Sequence, residues 1–130
     1  MAVDPTGRDL KRFLAEDPGG PVVMLNLLRF RPATDDEPDG RDSYLEYARR
    51  FREQSSRFGA EVLYVGDGST ALVAEDGQAW DAVLIVRYPS RQAFSDMVRD
   101  PDYSAITHLR TEALSEAVLQ ATHPWVDAGS

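Results

Sequence analysis

The sequence predicts an α+β domain of ferredoxin-like β-α-β-β-α-β order, with an antiparallel sheet, helices on one of its faces and a second copy of the chain on the other. Three observations carry this reading. Two nearly continuous apolar runs, at 22–30 and 80–88, are bounded by turn residues and are too short for buried helices. An amphipathic helical stretch follows each run, and a glycine-rich turn joins two short strand-like segments between them. Both runs are apolar on both faces of a strand, whereas the helices of such a plan cover only one face.

The elements are justified in order. Thr6 and Asp9 have the spacing of a capping box, and Leu10, Phe13 and Leu14 recur with helical period until Pro18-Gly19-Gly20-Pro21 stops the helix. Val22 to Phe30 is the first strand. Arg31 to Gly40 holds two prolines and four acids, the composition of a solvated, mobile loop. From Arg41 to Phe58, Tyr44, Tyr47, Ala48 and Phe51 form an apolar stripe, and Gly59 ends the helix. Glu61 to Val65 and Thr70 to Ala74 read as a strand pair around Gly66-Asp67-Gly68-Ser69. Trp80 to Tyr88 is the next strand. Ser90 caps a helix carrying Phe94 and Met97, and Asp100-Pro101 starts another with Tyr103 and Ile106 inward. Glu116 to Thr122 is the last strand.

Composition narrows the function. The 130 residues carry 14 Lys+Arg against 22 Asp+Glu, a formal charge of −8, with 42% apolar residues. A chain of this size buries roughly two-thirds of its unfolded surface, enough for one core. The expected organisation is a helical extension at 1–20, the α+β domain at 21–123 and a tail at 124–130. An acidic surface repels phosphate backbones and anionic lipid, which argues against nucleic-acid and membrane partners. With no cysteine there are no disulfides, zinc-thiolate sites or thiol nucleophiles. The first residues lack the apolar core of a signal peptide, and no window approaches the ~18 apolar residues of a membrane span, so a cytoplasmic location is expected.

The doubly apolar strands imply a partner. Val23, Leu25 and Leu27 face opposite to Val22, Met24 and Leu28, and each side chain left wet forgoes roughly 1.5 to 3 kcal/mol. The simplest cover is a second copy packed face to face, a dimeric α+β barrel.

Several segments also carry a resemblance. Met24-Leu25-Asn26-Leu27-Leu28, Tyr44 to Tyr47, Tyr64, Trp80 to Ser90, Asp100-Pro101-Asp102-Tyr103 and His108-Leu109-Arg110 together resemble the family called domain of unknown function 1330. The similarity spans about residues 21 to 123 and implies the dimeric α+β barrel fold. The N-terminal helix and the loop around Pro38 look like local additions. The family supplies no settled activity.

The candidate chemistry is sparse. Asn26 interrupts an apolar strand, and a buried amide must find partners: either it donates to a ligand between sheet and helices, or it is satisfied by nearby backbone or a tyrosine hydroxyl. His108 is the candidate for acid–base work near neutral pH, against the simpler reading of a histidine on a helix flank. Tyr44, Tyr47, Tyr64, Tyr88 and Trp80 are candidates to line one apolar cavity with polar rims. Arg29 and Arg87 either pair with carboxylates across the dimer or hold the carboxylate of a ligand. Arg110, followed by Glu112, reads as half of a solvated pair.

No metal-ligand spacing, phosphate loop or Gly-x-Ser-x-Gly elbow occurs, so neither metal nor cofactor is expected. The resulting expectation is a homodimer acting on a small apolar or aromatic metabolite without a cofactor, with Asn26 and His108 catalytic. Asn26, Arg29, Tyr44, Tyr64, Trp80 and Arg87 would contact the ligand. A non-catalytic ligand-binding dimer is the alternative. A more distant one is haem binding through Asn26, Trp80 and His108, the residue types that relatives in the superfamily place around haem.

Overall fold

The computed structural model describes residues 4–125; the expected tail lies outside them from residue 126 on. The elements are α1 (Gly7–Ala15), β1 (Val22–Phe30), α2 (Arg41–Ser56), β2 (Glu61–Asp67), β3 (Ala82–Tyr88), α3 (Arg91–Arg99), α4 (Pro101–Ser104), α5 (Thr107–Ala113) and β4 (Leu114–Thr122). Three helix starts are made by side-chain caps. Thr6 accepts from the Asp9 amide, Ser90 from that of Ala93, and Asp100 from those of Asp102 and Tyr103, with Pro101 at the first helical position.

The four strands form one antiparallel sheet in the order β2-β3-β1-β4. Leu25 pairs with Ile85 on one side and Gln120 on the other, so β1 and β3 form the sheet's centre. This is the expected ferredoxin-like plan, with one correction. Residues 70–74 are not a strand: β2 pairs with β3, and 68–81 is the connection between them. The outer side of β2 is thus left as an edge of the sheet. Leu72 and Val73 are instead almost fully exposed.

Alternation sorts the sheet's side chains. Val22, Met24, Asn26 and Leu28 of β1, with Ala82, Leu84, Val86 and Tyr88 of β3, are buried beneath the helices. The odd-numbered residues of both strands are half-buried on the open face. Leu25, Leu27, Val83 and Ile85 form its apolar centre, Val118 extends it on β4, and Tyr64 flanks it on β2. Tyr64 lies over Gly66, where an added Cβ would meet its ring.

The core between sheet and helices is aromatic. Phe30, Tyr44, Tyr47, Phe51 and Tyr103 form a chain of ring contacts with centroids 5.4–6.5 Å apart. A second cluster joins Tyr88, Phe94 and Phe13, which ties α1 to α3. The buried Arg91 guanidinium stacks on the Phe13 ring and donates to the Phe13 carbonyl at 2.7 Å.

The acidic loop at 31–40 is exposed but ordered by an arginine. Arg31 donates to the carbonyls of Glu112 and Pro38, and the Gly40 amide returns to the Arg31 carbonyl. Composition predicts a mobile segment; the guanidinium instead ties both loop ends to the end of α5. Gly40 approaches α5 so closely that a Cβ there would overlap the Ala113 carbonyl.

Candidate functional site

A cavity of about 240 Å³ lies between the covered sheet face and the helices. An engineered apolar cavity of about 150 Å³ binds benzene, so this one has room for a single substituted ring. Leu84 and Leu119 form its sheet side; Phe51, Phe94, Met97 and Val98 come from α2 and α3. The apolar wall is interrupted by Asn26, Tyr47, Tyr103, Thr107 and Arg110.

Each polar group has a definite setting. Asn26 donates through Nδ2 to the carbonyl of Leu84, its partner across the β1–β3 ladder, at 3.2 Å. No donor from the described residues reaches its Oδ1, so the amide lines the cavity with an acceptor to spare. The hydroxyls of Tyr47 and Tyr103 are hydrogen-bonded at 2.9 Å. Burial pushes both phenols above the ordinary range, so at neutral pH they carry their protons. Arg110, buried on α5, donates from Nη1 to Asp4 Oδ1 at 2.9 Å, and the Thr111 hydroxyl donates to Asp4 Oδ2 at 3.0 Å.

Of the expected site residues, the cavity gathers Asn26, Tyr47 and Tyr88. Tyr44 is buried beside it in the core, stacked on Phe30 and Tyr47, and burial raises its phenol. Its hydroxyl meets no hydrogen-bond partner among the described residues. Tyr64, Arg29 and Arg87 belong to the open face, since each pairs in register with an open-face residue of the neighbouring strand.

Arg29 is held within the chain: it pairs with Glu116 on β4, donates to the Gly77 and Ala79 carbonyls, and stacks on Trp80 with its guanidinium 4.4 Å from the ring centre. Trp80 therefore pins the 68–81 connection instead of lining the cavity. Arg87, opposite Glu61 and Val23, makes no ion pair among the described residues.

His108 is exposed on α5 and does not line the cavity, because the inward face of this region runs through Tyr103, Ile106, Arg110 and Ala113. The haem set is separated as well: Asn26 lies under the helices, Trp80 on Arg29, and His108 on the outside.

The residue that sequence reasoning missed is Arg110. From its buried position it pairs with the half-exposed Asp4, where a solvated pair with Glu112 was expected. The signal was its helical spacing from Tyr103 and Ile106. His123, just beyond β4, has Nε2 3.2 Å from Arg91 Nη2.

Among the described residues no helix is long and apolar enough to cross a membrane, and no group of three or more His, Asp or Glu side chains converges.

Comparison with known proteins agrees with this geometry. A protein of unknown function from Rhodopseudomonas palustris is 36% identical over 95% of this chain and 97% of its own, with a TM-score of 0.85. A dimeric ferredoxin-like protein of unknown function from Thermobifida fusca shares the fold at 13% identity, covering 81% of this chain and 92% of its own, with a TM-score of 0.52. A Bacteroides thetaiotaomicron protein provisionally designated an antibiotic biosynthesis monooxygenase does so at 17% identity, with 83% and 92% covered and a TM-score of 0.51. No curated protein matches the chain. The family described as Domain of unknown function (DUF1330) matches residues 37–121, from the acidic loop to the last strand, and the chain belongs to that family.

Proposed function

We propose that this protein is a homodimeric binder of a small, largely apolar organic molecule, held in the cavity between sheet and helices. The observation that carries the reading is the composition of the cavity: an aromatic and aliphatic wall, interrupted by a fixed amide and a hydrogen-bonded pair of protonated phenols. Such a site accepts an apolar ring and orients one polar substituent. Asn26 offers an acceptor, and the Tyr47–Tyr103 pair offers a proton donor or acceptor.

His108 lies outside the lining of this cavity, and the residues that do line it support the binding reading. A reaction without a cofactor would have to draw its proton from the tyrosines. The dimer is supported by the apolar open face, with Leu25, Leu27, Val83, Ile85 and Val118 on contiguous strands, and by the dimeric description of the Thermobifida fusca protein.

Ligand-observed NMR with single-ring probes such as toluene, phenol and benzyl alcohol tests the cavity. Binding is expected at millimolar concentration or below, and Val98→Phe, which fills the cavity, is expected to abolish it. Equal binding by the filled variant would refute the assignment.

A further inference from the structure

The buried arginine beside the cavity bears on what kind of molecule enters. In a chain of net charge −8, Arg110 is sunk among apolar and aromatic groups, and a buried guanidinium requires hydrogen-bonding anionic company. Among the described residues, a carboxylate that it meets is Asp4. The two ends of this contact are held very differently. The Arg110 side chain is 6% exposed and fixed on α5, whereas that of Asp4 is 48% exposed and precedes the first helical turn of α1.

Asp4 binds as a free carboxylate would. One oxygen takes the Arg110 Nη1–H and the other takes the Thr111 hydroxyl, so both are satisfied by adjacent residues of α5. The same short segment also stands between two spaces. Asp4 and Pro5 line both the cavity and the neighbouring groove under α1, and Phe94 and Leu119 are shared by the two as well. Moving Asp4 aside would release Arg110 Nη1 and the Thr111 hydroxyl at the edge of the cavity.

We propose that Arg110 and Thr111 form a carboxylate site at the mouth of the cavity, that Asp4 occupies it as an internal stand-in, and that the ligand is a small aromatic or apolar monocarboxylate that displaces Asp4. The inference rests on the ligand-binding reading above and adds the ligand's class. The ligand's ring fills the space against Phe51, Phe94 and Met97. Its carboxylate exchanges with that of Asp4, so charge at the buried arginine stays balanced throughout. The Arg91 guanidinium cannot serve in this way, because the Phe13 carbonyl and His123 already fix it to α1 and the end of β4.

Calorimetric titration of the full chain with phenylacetate and its neutral isostere phenylacetamide provides the test. In the wild type the acid is expected to bind more tightly than the amide. Because apparent affinity is reduced by the fraction of sites already occupied, Asp4→Asn is expected to tighten phenylacetate by about three- to tenfold and to leave phenylacetamide unchanged. Arg110→Gln in the Asp4→Asn background is expected to remove the preference for the acid. If Asp4→Asn leaves phenylacetate affinity unaltered or weakens it, the displacement proposal is overturned, whatever the folding of the Arg110 variant. Equal binding of acid and amide, both blocked by Val98→Phe, overturns the carboxylate site while leaving the cavity reading intact. Binding of neither compound to wild type or Asp4→Asn overturns both.

Discussion

The hydroxyls of Tyr47 on α2 and Tyr103 on α4 meet at 2.9 Å on the wall of the cavity, and each is the other's polar partner inside an aromatic core. Removing one leaves the other buried without a partner. Tyr47→Phe and Tyr103→Phe should each cost about 1–3 kcal/mol in urea unfolding, whereas the double variant should cost less than the sum of the two. Additive losses would mean that the bond contributes nothing as a pair.

Alkaline unfolding follows from the same burial. Tyr44, Tyr47, Tyr88 and Tyr103 all have phenols raised by desolvation above the ordinary value of 10.0. A raised folded-state value means that the unfolded chain loses its protons first. The stabilisation is thus complete below pH 10 and is lost as pH rises toward the folded-state values. Each such tyrosine should lower stability by about 1.4 kcal/mol per pH unit above 10. The melting temperature should therefore drop steeply above that pH, and the tyrosinate absorbance of the four residues should appear together with unfolding. A flat melting temperature to pH 11.5 would contradict the burial of these groups.

Arg29 joins β1, β4 and the 68–81 connection through Glu116, two carbonyls and the Trp80 ring. Arg29→Ala should cost roughly 1–3 kcal/mol and should raise hydrogen exchange at Gly77–Asp81 more than anywhere in the helices. Unchanged protection there would show that the connection is held by other means.

The open face gives a prediction about assembly. Ile85→Glu places a charge at its centre while leaving the covered core untouched, since Ile85 lies on the side away from the helices. Sedimentation should shift from dimer to monomer with secondary structure retained. A wild-type chain that sediments as a monomer at micromolar concentration would remove the proposed interface altogether.

Gly40→Ala tests the closure of the acidic loop on α5. The new methyl would collide with the Ala113 carbonyl, a backbone atom that cannot rotate away, so several kcal/mol of destabilisation are expected. A loss below about 0.5 kcal/mol would mean that this backbone contact yields easily.

What could be read from the residues follows their local character. Thr6, Ser90 and Asp100 stand three residues or fewer from the amides that they cap, so short-range chemistry located these helices. The doubly apolar β1 and β3 announced a sheet needing cover on both sides. Residues 70–74 misled because Ala71, Leu72 and Val73 have strand-like character, while strand formation depends on packing and pairing that local propensity does not supply. Asn26 was legible as a polar break in an apolar strand. Arg110 was not, because its carboxylate partner is 106 positions away. His108 drew notice for its chemistry alone, and chemical type says nothing about which side of a helix faces inward.

The strand order has a consequence for how the chain holds together. Every neighbouring pair in β2-β3-β1-β4 joins one strand from before the 68–81 connection to one from after it. A molecule cut within that exposed connection would therefore yield two pieces, each with strands that cannot zip to one another. Each piece is complete as a sheet only when interleaved with the other, so the nicked protein should survive as a mutually templated pair rather than as two independently folded halves.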